Sequence, residues 1–113
     1  MSLKIHRRDV DGIVILELRG RITTCEPNMT VRDAVREEID KGFRHILLDM
    51  GEITYIDSAG LGELIAAYTT VKNRRGHLKL LNPTKRLYEL IKITKLYTFF
   101  DIYDYEVRAL EAF

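Results

Sequence analysis

This chain of 113 residues has one cysteine, three histidines, almost no net charge and no long apolar run. Cys25 has no second thiol to pair with, so an internal disulfide is excluded and a reducing cytosol is the simple expectation. No apolar stretch approaches the roughly 18 residues a membrane span needs, so insertion into a membrane is not expected. Lys4, His6, Arg7, Arg8 and Asp9 interrupt the start of the chain, which argues against a signal peptide there. The 18 basic residues face 17 acidic ones, a formal charge of +1 that neither predicts nor excludes a polyanion. His6, His45 and His77 are not spaced with one another, with Cys25 or with a carboxylate as metal ligands would be, so no metal is expected. Cys25 has no evident base beside it, and no glycine cluster has the Gly-x-x-x-x-Gly-Lys-Ser/Thr form that grips nucleotide phosphates. No cofactor and no catalytic residue is therefore expected, and the enzyme classes lose their usual anchors.

What is present is an ordinary soluble composition, 46% apolar and 31% charged, in one expected domain over residues 1–113. Residues 3–8 alternate as an edge-like strand, Asp9-Val10-Asp11-Gly12 has turn chemistry, and residues 13–18 form a stronger strand that ends at Gly20. Residues 21–27 read as a loop. A helix begins near residues 28–30, with Thr30 and Asp33 as a capping pair, and buries Val31, Ala34, Val35 and Ile39. Lys41-Gly42 closes it. Residues 45–50 are mostly apolar, as in a strand covered on both faces. A second helix covers residues 58–75 with Leu61, Leu64, Ile65 and Tyr68 on one stripe, and Gly76 stops it. Residues 77–81 are a strand, Asn82-Pro83 starts a third helix that buries Leu87, Leu90 and Ile91, residues 99–102 are a last strand, and residues 103–112 a terminal helix. This alternation predicts a mixed α/β sheet of four to five strands, with an N-terminal hairpin and helices packed mainly on one face. Arg74, Arg75, Lys79, Lys85 and Arg86 read as a solvated basic face, too sparse for nucleic-acid binding. The aromatic residues towards the end read as support for the last helix and the sheet.

The most informative segment is Asp57-Ser58-Ala59-Gly60-Leu61-Gly62, where a strand-side loop becomes a helix. Either Asp57 or Ser58 suits the helix cap, and a hydroxyl there can be both cap and switch. Phosphate on it meets unpaired N–H groups and the positive end of the helix dipole. It also adds about −1.5 to −2 charges, repelled by Asp57 and by Glu52. That favours a surface switch over a folding switch.

The chain resembles the STAS family, the sulfate-transporter and anti-sigma-factor-antagonist domain, over nearly its full length. The resemblance runs from Leu18-Arg19-Gly20-Arg21-Ile22 through Leu47-Leu48-Asp49-Met50 to Ile53-Thr54-Tyr55-Ile56 and the Asp57 to Gly62 segment. It continues through Gly76-His77-Leu78-Lys79-Leu80-Leu81-Asn82-Pro83 and residues 96–101. It implies a bacterial anti-sigma factor antagonist that works by partner switching. The unphosphorylated form binds an anti-sigma factor that is also a serine kinase, and phosphorylation from ATP ends binding. A metal-dependent serine phosphatase restores it. The implied partner-binding residues are Thr23, Asp57, Ser58, Ala59, Gly60, Leu61, Gly62, Glu63 and Ala66, with Ser58 the implied phosphorylation site. Ala59 stands where the family has a second hydroxyl, and Thr23 where members often carry an Asp. Ser58 is then the acceptor, or this member works without phosphate. A stressosome-type scaffold, an accessory subunit of an ABC lipid-transport system, and a homodimer stay open beside the antagonist.

Overall fold

Asp11 (φ 51°) and Gly12 (φ 83°) both take positive φ, the requirement of a two-residue turn whose twist matches the strands it joins. That turn pairs β1 (Lys4–Val10) antiparallel with β2 (Ile13–Ile22), Val10 opposite Ile13. The turn is therefore two residues shorter than the sequence predicts, because Asp9 and Val10 still pair. The computed structural model describes residues 2–23 and 29–113. The expected thiol position Cys25, the Asn28 end of the expected helix start and most of the expected 21–27 loop lie outside these residues, while Arg21 and Ile22 belong to β2.

The further elements are α1 (Val31–Asp40), β3 (His45–Ile56), α2 (Ser58–Asn73), β4 (His77–Leu81), α3 (Lys85–Ile93), a 3₁₀ turn (Leu96–Thr98), β5 (Asp101–Tyr103) and α4 (Glu106–Glu111). The five strands lie in the order β1-β2-β3-β4-β5, parallel except for β1. Side chains alternate across the sheet. Val14, Leu16, Ile46, Leu48 and Leu80 face α1, α2 and α3 in the main core, while Ile13, Ile15, Leu47 and Leu81 meet Ala109 of α4 on the other side. The expected mixed sheet with helices mainly on one face is the observed one.

Several boundaries differ for identifiable reasons. β3 runs six residues past Met50, because its outer half pairs with β2 (Glu52 with Arg19, Tyr55 with Arg21, Ile56 with Ile22). Gly51 and Glu52 hide that pairing in the sequence by breaking the apolar run. α1 starts where Thr30 accepts from the Asp33 amide at 3.1 Å and Asp33 accepts from the Thr30 amide at 3.5 Å, the reciprocal pair expected. α2 ends at Asn73, and the left-handed residue after it is Arg75 (φ 60°), not Gly76. Gly76 is needed for another reason: a Cβ there would lie 2.3 Å from the Arg44 carbonyl oxygen. Thr84, not Asn82 or Pro83, caps α3, accepting from the Leu87 amide at 3.4 Å. The last strand, Asp101–Tyr103, begins two residues and ends one residue later than expected, and α4 is shorter than expected. Ile65 is 40% exposed, so the buried stripe of α2 is Leu61, Leu64, Ala67 and Val71. Lys79 leaves the expected solvated basic face entirely. It is 5% exposed, bonds Asp101 at 2.8 Å and lies beneath the rings of Tyr103 and Phe113.

Candidate functional site

β3 delivers Asp57 directly to the start of α2. The Asp57 backbone is extended (φ −105°, ψ −177°) and its Oδ1 accepts from the Gly60 amide at 2.6 Å, satisfying one of the orphan donors of the first turn. Asp57 is thus the cap. Ser58 is the first residue inside the helix, exposed, and its hydroxyl makes no hydrogen bond among the described residues. The expectation that one hydroxyl serves as both cap and switch is corrected in its first half: the cap is the Asp57 carboxylate, and the Ser58 hydroxyl takes no part in it. Replacing Ser58 therefore removes no cap, contrary to the cost that dual role implies.

Gly60 brings the end of β2 to this turn. A Cβ on Gly60 would meet the Ile22 carbonyl oxygen at 1.9 Å, so only glycine lets α2 enter against β2. The close approach places Thr23, next after Ile22, beside the first turn of α2. Gly60 and Leu61 are buried and act inward, whereas Ser58 and Gly62 are exposed and Thr23, Asp57, Ala59, Glu63 and Ala66 are half-buried. Helical spacing lines up Ser58, Gly62, Ile65 and Thr69 as one outer stripe. Among the described residues, nothing lies within 4 Å of a Cβ built on Gly62. A glycine inside a helix costs roughly 0.5–1 kcal/mol against alanine, and packing among the described residues does not require it here.

Electrostatically the site is sparse. Glu63 is only 12% exposed at its side chain, its Nε–Oε2 separation from Arg32 is 3.9 Å, and Oε2 accepts no hydrogen bond among the described residues. Arg21 lies 4.5 Å over the Tyr55 ring at the end of the strands that lead into the turn, a pair the sequence alone does not reveal because the two positions are 34 residues apart. Register between two parallel strands is the signal that would have found it. Glu52 is not beside the hydroxyl as expected. Five residues of extended strand, about 16 Å, separate it from Asp57, and it faces Arg19 across the sheet. Among the described residues no three His, Cys, Asp or Glu side chains are grouped to hold a metal ion, and no helix is long and apolar enough to cross a membrane. Two of the three histidines pair by register instead: His45 lies opposite His77 (ring centroids 5.3 Å apart) and stacks on Phe113 at 5.4 Å. Burial, then the nearby His77 and Lys79, lowers the His45 pKa. That cluster belongs to the α4 side of the sheet, apart from Ser58.

Chemically, an exposed serine hydroxyl without a bonded base is a poor nucleophile in its own right. It is a good acceptor for a group delivered by another protein that brings the base. The helix terminus tolerates the added anion, since the dipole favours negative charge there.

The model of the STAS domain matches residues 4–109 of this chain. An anti-sigma-B factor antagonist of Listeria monocytogenes is 30% identical over 106 residues, spanning 94% of this chain and 91% of that protein. A solved anti-sigma factor antagonist of Mycobacterium paratuberculosis superposes with a TM-score of 0.80 at 23% identity, over 98% of this chain and 93% of that one. The phosphorylated form of the Bacillus cell fate determinant SpoIIAA superposes at 0.68 with 16% identity, covering 96% and 98%. With the family model matched over residues 4–109, almost all of its length, the chain belongs to the STAS domain family.

Proposed function

We propose that this chain is an anti-sigma factor antagonist, acting by binding rather than turnover. It engages an anti-sigma factor that is also a serine kinase through Ser58, Gly62, Ala66 and the neighbouring Thr23, and so releases the sigma factor. Phosphate on Ser58 ends that binding, and a metal-dependent serine phosphatase reverses the change. The cycle runs in the cytoplasm on a single unit of residues 1–113. One observation carries the reading: Asp57 takes the cap, which leaves the Ser58 hydroxyl exposed and unneeded by the fold. Phosphorylation then adds about −1.5 to −2 charges to the contact surface without breaking a helix cap. The relatives named as anti-sigma factor antagonists support the partner class, and a fold relative solved in phosphorylated form supports the modification.

The test mixes the purified protein with serine-kinase anti-sigma factors of its own organism and ATP, then reads complex formation, intact mass and the modified site. One phosphate on Ser58 with loss of complex is the expected result. Ser58→Glu binds more weakly than Ser58→Ala. Equal affinity of those two variants removes the phosphate switch and leaves an antagonist under other control. Absence of any complex removes the antagonist itself and moves the chain to a scaffold or transporter-accessory role.

A further inference from the structure

Four of the nine exposed large hydrophobic side chains among the described residues, Ile65, Tyr88, Tyr97 and Phe99, line two clefts on either side of the 3₁₀ turn. The first, about 260 Å³, lies between α2 and that turn, with Ile65, Tyr68, Leu96 and Phe99 on its walls and Phe100 below. Its walls are preformed: Tyr68 meets Phe99 and Phe100 edge to face at 6.0 and 5.4 Å, and Phe100 is 2% exposed. The second, about 500 Å³, lies between α3 and β5, with Tyr88 and Tyr97 beside Lys92 and Lys95. Ile65 belongs both to the first cleft and to the outer stripe that begins at Ser58, so the two surfaces are continuous.

Charge narrows the occupant. Residues 85–95 carry Lys85, Arg86, Lys92 and Lys95 against Glu89, a net +3 on a chain whose total is +1. None of these four cations joins an ion pair among the described residues. Lys95 also sits in the left-handed position after α3 (φ 61°), where glycine would be unstrained. We infer that the clefts extend the Ser58 stripe into one docking surface, occupied by an acidic segment of the anti-sigma partner that inserts an apolar side chain beside Phe99. This rests on the antagonist reading. A second copy of the chain fits less well, because a two-fold pairing sets this positive segment against itself. A nucleic acid also fits less well, since the lining of the first cleft holds no cation for a phosphate.

Affinity for the anti-sigma partner, measured by calorimetry on the wild type and on Ser58→Glu, Phe99→Ser, Lys92→Glu and Lys95→Gly, tests this. Phe99 is 56% exposed and Lys92 is exposed, so these changes spare the core, and Lys95→Gly relieves the left-handed position. Phe99→Ser and Lys92→Glu each weaken binding about tenfold or more, as expected for an anchor residue and an interfacial charge reversal. Lys95→Gly weakens it less while raising the unfolding midpoint. Wild-type affinity in all three cleft variants, with Ser58→Glu still defective, overturns this surface and leaves the antagonist reading intact. Failure of the wild type to bind overturns both. A single-stranded oligonucleotide that binds the wild type and not Lys92→Glu reassigns the surface to nucleic acid and overturns the inference.

Discussion

The sheet is covered in two different ways. On one face α1, α2 and α3 bury a continuous aliphatic core, and the outer stripe of α2 takes little part in it: among the described residues, Ser58 makes no hydrogen bond or ion pair, and a Cβ built on Gly62 would meet nothing within 4 Å. On the other face the six-residue α4 is tied down by polar and aromatic contacts. Arg8 pairs with both Glu106 and Glu17, Lys79 bonds Asp101, and Phe113 stacks on His45. The pairing raises the Arg8 pKa and lowers that of Glu17. The side chains named on the α4 face are committed to the chain's own structure, whereas the α2 stripe is supported from beneath and left open above among the described residues. A binding surface needs that second condition, since contacts already made within the fold must be broken before a partner can use them.

Substitutions along α2 sharpen the contrast. Gly60→Ala forces a methyl into the Ile22 carbonyl oxygen and should cost about 2–4 kcal/mol in urea unfolding, with partner binding lost alongside. A cost under half a kcal/mol would show that β2 and α2 separate easily. Asp57→Ala removes the cap and should cost roughly 1 kcal/mol, while Ser58→Ala one residue later stays within about 0.5 kcal/mol. Equal costs at the two positions would mean that the cap is shared after all. Gly62→Ala should stabilise the helix by about 0.5–1 kcal/mol and still weaken partner binding, because the added methyl stands on the outer stripe proposed as the contact surface. Unchanged affinity in that variant would remove Gly62 from the interface.

The α4 side responds to pH instead. The His45 pKa is lowered from its ordinary 6.5, so the unfolded chain binds a proton that the folded chain refuses. Stability should therefore fall as pH drops below 6.5, and stop falling from this source once the lowered folded value is passed. His45→Gln should flatten that limb of the curve. The contribution of Glu17 has the usual carboxylate sign, present above its ordinary 4.5 and lost as pH falls through its lowered folded value. Binding through Ser58, measured at pH 7.5 and at 6.0, should change less than stability does, because His45 lies on the α4 side of the sheet. A parallel loss of both would couple the two faces.

Much of the fold was legible in the chain because local chemistry and tertiary structure agree there. Asp11-Gly12 can make a tight turn unaided, Thr30 and Asp33 cap each other within one helical turn, and the run from His45 to Met50 is apolar enough to declare a strand buried on both faces. The site was legible as a motif, Asp57 to Gly62, but which of its residues caps the helix was not. Asp57 and Ser58 are equally plausible caps by residue type, and only the extended backbone at Asp57 decides between them. The outer half of β3 escaped notice because its order comes from β2, more than thirty residues away in sequence.

The amino-acid sequence by itself determined which residues could serve: one turn, two capping chemistries, an aliphatic core and a single hydroxyl in the Asp57 to Gly62 signature. Only the tertiary structure decided that Gly60 must remain small beneath the Ile22 carbonyl, that Lys79 is buried with Asp101, and that Ile65 faces outward into a cleft with Phe99. The reason is physical. Turns and caps are settled by interactions within a few residues, whereas burial, register and close approach depend on which distant segments the packed sheet brings together.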